Sequence, residues 1–167
     1  MKLYRYIVPI LLLLPTITVF AQINSSVSIK AQATVVEKSE IELVTMKDMD
    51  IDASSAVNGK VYISAQKDTK SALMVVKGKA NASFRVTFTP TVEIPNSAGK
   101  GSLLIQYEMI GCATDNQGAG EPIDAAERTL TISTDGRYYF WLGGRIDISK
   151  ARPGKYNGDF TIEVEYI

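Results

Sequence analysis

Histidine is absent from this 167-residue sequence, and cysteine occurs once, at Cys112. Without histidine there is no Ser-His-Asp or Cys-His nucleophile pair, and the commonest transition-metal ligand is missing. Serine and lysine are plentiful, but no spacing singles out a Ser-Lys pair. One cysteine cannot form an intrachain disulfide, and an unpaired cysteine is most often a small buried hydrophobe, so Cys112 is expected inside. Neither sign of charge is in excess, with 18 Lys and Arg against 18 Asp and Glu. The charges are interspersed and form no basic stripe, which argues against nucleic acid or an anionic membrane as partner. A phosphate-binding glycine loop is also missing. Gly118-Ala119-Gly120 lacks the pattern that should follow it, and Gly143-Gly144 falls between two expected strands.

The apolar run Ile7 to Phe20 is shorter than the ~20 residues that span a bilayer, and Pro9 and Pro15 interrupt it. Lys2 and Arg5 precede it. Val19-Phe20-Ala21 ends it with Val and Ala at the positions a signal peptidase reads. Residues 1–21 are therefore expected to be an export signal cleaved between Ala21 and Gln22. No cysteine follows to carry a lipid. The remaining chain, 22–167, suits one domain with no membrane span of its own. It is tipped two charges acidic by the loss of Lys2 and Arg5. A chain of that size buries about 70% of its unfolded surface and needs no disulfide.

What remains reads as short strands between turn residues. Val27, Ile29, Ala31, Ala33 and Val35 alternate with polar residues, and Ile41 to Val44 and Met49 to Ile51 follow. Asn58-Gly59 signals a tight hairpin turn into Lys60–Ile63. Ala72 to Val76 is apolar throughout, as in a strand buried on both faces. Phe84, Val86 and Phe88 alternate, Pro90 and Pro95 bracket a short extended piece, and Leu103 to Ile110 is another strand. Leu130 to Ile132, Arg137 to Leu142, Arg145 to Ser149 and a closing strand complete about ten. The long irregular stretch Gly111 to Arg128 suits a functional loop or a connector, with one or two helical turns at Pro122 to Arg128. Many short period-2 strands with little helix predict an all-β antiparallel sandwich or barrel.

Two clusters invite a chemical reading. Asp48, Asp50 and Asp52 begin like a calcium loop, but Ala53 and Gly59 stand where glycine and the bidentate glutamate are needed. On a strand the three carboxylates share a solvated face opposite Met49 and Ile51. In the run Tyr138 to Trp141, alternation places Tyr139 and Trp141 on one side, a candidate stacking surface for a sugar ring. Neither cluster amounts to a catalytic constellation, and no cofactor or metal is expected.

The chain closes on Phe160, Ile162, Val164 and Tyr166 alternating with polar residues, preceded by Gly154. This resembles the terminal strand of chaperone–usher pilus subunits, which carry a glycine and a penultimate aromatic at those places. The resemblance implies a sandwich that lacks one strand, a slot filled by a neighbour's N-terminal segment, and a periplasmic chaperone that binds the terminal strand. Cys112 alone cannot supply the disulfide that many such subunits carry. Over nearly all of 22–167 the sequence is also similar to the bacterial family called domain of unknown function 4402. The matching features are Ala31-x-Ala33, Met49-Asp50, Gly59-x-Val61, Phe84-x-Val86, Asp135-Gly136, Leu142-Gly143-Gly144 and the alternation from Gly154 to Tyr166. After Met49-Asp50 this chain has Ile51-Asp52 where such sequences usually read Phe-Gly. That similarity implies an immunoglobulin-like sandwich outside the cytoplasm and names no activity.

The expected function is accordingly an exported, non-catalytic structural subunit, pilin-like, residing in the periplasm, at the cell surface or in the medium. Strand addition joins it to copies of itself or to a chaperone. Val27, Ile29, Ala31, Ala33 and Val35 are the expected donated side chains, with Phe160, Ile162, Val164 and Tyr166 receiving them. The alternative is a self-contained binding module for a glycan or a protein. It would use the 111–128 loop or Tyr139 and Trp141, with its first strand tucked into its own sheet.

Overall fold

The computed structural model describes residues 26–35, 41–126 and 128–167. The expected signal segment and its cleavage point at Ala21 and Gln22 lie outside them. The described residues hold twelve strands, in order β1 (Ser26–Val35), β2 (Glu42–Lys47), β3 (Met49–Asp52), β4 (Lys60–Ile63), β5 (Ala72–Lys77) and β6 (Ser83–Phe88). The second half holds β7 (Thr91–Pro95), β8 (Ser102–Cys112), β9 (Glu121–Ile123), β10 (Arg128–Thr131), β11 (Arg137–Asp147) and β12 (Lys155–Tyr166). Helix is limited among the described residues to 3₁₀ turns at Ala53–Ser55 and Gln117–Ala119.

These strands form the expected all-β sandwich. One sheet runs β10-β6-β12-β1-β3 and the other β2-β5-β11-β8-β7. Beyond the end of β5, β4 continues on the same side of β11; beyond β7, β9 continues along β8. All strand pairs are antiparallel except β1 and β12, which run parallel from Ser26 opposite Lys155 to Val35 opposite Val164. The inner faces meet over a continuous apolar core. Phe84, Phe140, Tyr156, Phe160 and Ile162 are fully buried in it. Rings there meet edge-on, as Phe84 does with Tyr138 at 5.4 Å between centroids.

The turn chemistry follows the sequence. Asn58 and Gly59 both take positive φ, 52° and 72°, and close the Val57–Lys60 hairpin. Met49 and Ile51 are buried and Asp48 and Asp50 exposed, so the acidic run is a strand face. Asp52 accepts from the Ser54 N–H at 2.9 Å and caps the first 3₁₀ turn. β5 is buried on both sides, with Met74 and Val76 in the core and Val75 against the outer face.

Three expectations are corrected. Arg137 to Asp147 is one strand, not the two expected at Arg137 to Leu142 and Arg145 to Ser149. A Cβ on Gly143 would collide with the Ile63 carbonyl, so the glycine admits β4 where β11 changes partner from β5 to β4. Pro122 lies in strand β9, not in a helical turn. β9 is a short edge strand, where proline's missing N–H costs no ladder bond. Cys112 is half-buried, with its sulfur 3.4 Å from the Thr114 hydroxyl, because it stands on the outer face of β8.

Candidate functional site

The first candidate is the seam between β1 and β12. Tyr156, Phe160, Ile162 and Val164 project from β12 into the core and are at most 1% exposed. The backbone register sets Val27, Ala31, Ala33 and Val35 level with these four, and Ile29 level with Gly158. The sequence's two alternating ends therefore meet. On its other edge β1 pairs with β3 from Ser26 to Ile29 only, so β12 holds most of it. The first strand lies in its own sheet.

The glycine and the aromatic that mark the terminal strand both have local packing roles. A Cβ on Gly154 would overlap the Asn96 carboxamide, a buried group whose oxygen accepts from the Ala98 N–H at 2.8 Å. Tyr166 is half-buried and its hydroxyl accepts from the Lys79 N–H at 2.6 Å. Near the start of β12, the Tyr156 hydroxyl both accepts from the Arg152 N–H and donates to the Arg152 carbonyl, each at 2.7 Å.

The second candidate is the outer face of the β11 sheet. Tyr139 and Trp141 share a side, as alternation predicts, and stack with centroids 6.1 Å apart at 21°. They are 8% and 5% exposed, however, and pack with Ala65, Val75 and Ile110 in a small second core. The Gly111–Arg128 stretch helps to close it. Gly120 sits against the Ile110 side chain. The Gln117 amide lies within hydrogen-bonding distance of the Ala65 and Asp68 carbonyls and the Ser71 hydroxyl, at 2.7, 3.2 and 3.0 Å. Gln66 reaches back to the Gly118 carbonyl at 3.1 Å. A ligand meets this ring pair only if that cover moves.

A third feature has no counterpart in the sequence reading. On one edge of β8, β7 pairs as far as Gln106 and β9 begins at Met109. Tyr107 and Glu108 lie in the interruption, with the Tyr107 N–H bonded to the Pro90 carbonyl at 2.7 Å. A cleft of about 440 Å³ opens there, within the usual range for a small-molecule site. Its walls include Tyr62, Phe88, Pro90, Tyr107 and Pro122, with Glu108 and Asp124 as the carboxylates. Glu108 accepts from the Tyr62 hydroxyl at 3.0 Å and pairs with Arg145 at 3.2 Å, and that guanidinium lies over the Tyr62 ring. Tyr107 is 94% buried and packs on Phe160 at 4.7 Å between centroids. Its hydroxyl has no hydrogen-bond partner among the described residues. Burial, reinforced by the charge of Asp159, pushes that hydroxyl up to about 12. The signal that marks this place is Pro90, which stands at the gap and has no N–H to donate to a ladder.

The model of the family described as Domain of unknown function (DUF4402) matches residues 44–166. The chain belongs to that family. Among curated proteins, none matches it. The matched region begins inside β2 and leaves β1 out.

Proposed function

We propose that this protein is an exported, non-catalytic structural subunit of a surface or periplasmic assembly whose copies join by strand addition. Each copy gives its Ser26–Val35 strand to the β12 edge of the next. The position of β1 supports this reading. It stands outside the matched family region, yet it is the strand that fills the slot between β12 and β3. Without it, β12 presents an unpaired backbone from Lys155 to Val164 beside Tyr156, Phe160, Ile162 and Val164. Such an edge is a ready template for another strand. With cleavage after Ala21, only Gln22–Ser25 precede β1, so the strand leaves without unthreading. A second copy's β1 makes the same contacts, and exchange of an identical element is a low-cost route to association.

The test compares the whole chain with a version lacking residues 26–35. The whole chain should give heat-sensitive ladders on a denaturing gel. The shortened chain should give none, and a synthetic 26–35 peptide should raise its thermal midpoint. If the whole chain stays monomeric at every concentration and the shortened chain is unfolded with or without peptide, the reading fails. The protein would then be a self-contained module with β1 as an ordinary first strand.

A further inference from the structure

We infer that a basic cleft at one end of the sandwich binds the charged groups of an acidic polysaccharide. It lies between the β7–β8 turn, residues 96–101, and the β11–β12 connection, residues 148–154. The inference is independent of how copies associate.

The two segments are distant in sequence and are joined by buried groups. The buried Asn96 carboxamide accepts from the Ala98 N–H at 2.8 Å, and its nitrogen lies 3.4 Å from the Arg152 carbonyl. The Ser97 N–H donates to the Lys155 carbonyl at 3.0 Å. Tyr156 is fully buried, and its hydroxyl holds both the N–H and the carbonyl of Arg152. The backbone on both sides is therefore fixed. The cleft that opens between them has a volume of about 660 Å³, within the usual range for a ligand site.

The charge of this end has one sign. Lys100 and Arg152 line the cleft, and no carboxylate does. Residues 95–102 and 148–158 also carry Lys150 and Lys155 and contain no Asp or Glu. Lys150 stands with Asp147 at a neighbouring hollow. Lys100, Arg152 and Lys155 have no ion pair among the described residues. The whole sequence carries 18 charges of each sign, so the attraction for an anion is local to this end and owes nothing to net charge.

The lining chooses among anions. A nucleic acid needs aromatic side chains on which its bases stack, and none lines the cleft. An acidic peptide is gripped by a strand edge or an arginine cluster. Here the walls are turn residues with a single arginine. One small anion would leave Lys155 unmatched, whereas a chain of acidic sugars repeats its charge along its length. The Arg152 guanidinium matches a carboxylate or sulfate with two parallel hydrogen bonds. Gly99 keeps the turn open to such a chain, because no atom lies within 4 Å of where its Cβ would stand.

The experiment is a calorimetric titration of the whole chain with polygalacturonate and with dextran sulfate. Dextran is the neutral control, and hexaglutamate, duplex DNA and phosphatidylglycerol vesicles are the competing anions. At least one acidic polysaccharide should bind more tightly than every competitor, dextran should not bind, and salt should weaken the complex. Lys100→Gln with Arg152→Gln should weaken binding about tenfold or more. Both side chains are exposed, so the thermal midpoint of that variant should hold. Lys67→Gln with Lys79→Gln removes the same charge from exposed positions on other loops and should leave binding nearly unchanged. The inference is overturned if neither polysaccharide binds, if a competitor binds more tightly, or if the second pair of substitutions weakens binding as much as the first.

Discussion

The hydroxyl of Tyr166 accepts a hydrogen bond from the backbone N–H of Lys79 at 2.6 Å, across 87 residues of chain. The penultimate side chain thereby ties the end of β12 to the turn between β5 and β6. Gly78 lies directly beneath it, and a Cβ there would overlap the tyrosine ring and hydroxyl. The last turn of sheet is also held by the Ile167 N–H, which donates to the Ser83 carbonyl at 3.2 Å. These bonds hold the end of β12 at a position where chains usually fray.

Tyr166→Phe keeps the ring and removes the acceptor. The expected loss is about 0.5–1.5 kcal/mol, measured by urea denaturation with an unchanged m-value. A variant as stable as the parent would show that water replaces the hydroxyl at no cost.

Three glycines should rank by what their missing Cβ would meet. At Gly143 the obstacle is the Ile63 carbonyl and the Ala65 backbone, which cannot rotate away. At Gly154 it is the buried Asn96 carboxamide, and at Gly158 it is the Ile94 side chain. Alanine should therefore cost most at Gly143, where about 3 kcal/mol or more is expected, and about 1–3 kcal/mol at the other two. Thermal midpoints of the three variants check the order, and equal midpoints would refute the backbone argument.

Trp141 is the sole tryptophan, so its fluorescence reports the second core without interference. Gln117→Ala removes the amide shared among Ala65, Asp68 and Ser71. Losing it leaves the Ala65 carbonyl without that donor, whereas the Asp68 carbonyl keeps the Ser71 N–H and hydroxyl, and should cost about 1 kcal/mol. Acrylamide quenching of Trp141 should rise and its emission should shift to the red. Unchanged quenching would mean that the cover holds without the glutamine.

Alkali should destabilise the fold in a defined window. Burial pushes both Tyr107 and Tyr138 up to about 12, whereas an unfolded tyrosine ionises near pH 10. Between about pH 10 and 12 the unfolded chain gives up protons that the folded chain keeps, so stability falls as pH rises through that range. The loss approaches ~2–3 kcal/mol for each tyrosine by the top of the window. Denaturation midpoints at stepped pH should show the decline, and Tyr107→Phe should make it shallower. A flat profile to pH 12 would contradict the assignment.

Aspartate acts at the other extreme. The Ser54 hydroxyl and N–H hold Asp52 below its ordinary value, and Ser149 does the same for Asp147. Their stabilisation is present above the ordinary carboxylate range and is lost as pH falls through the lowered values. Both groups are on the surface, so the acid effect should be slight and should shrink further with salt.

Sequence alone determined the all-β class, because period-2 alternation forces side chains to opposite faces and leaves no amphipathic helix to place. It also determined the Asn58-Gly59 hairpin, the solvated Asp48–Asp52 face and the shared side of Tyr139 and Trp141, since each depends on neighbours in the chain. Tertiary structure decided that Tyr139 and Trp141 are covered, that β1 pairs parallel with β12, and that Tyr107, Glu108 and Asp124 share a cleft. Covering the ring pair takes the 64–71 and 111–120 segments together. The parallel seam joins the two ends of the chain, and the cleft exists because β7 and β9 stop short of each other along β8. All three depend on which distant strands become neighbours, and local alternation carries no information about that choice.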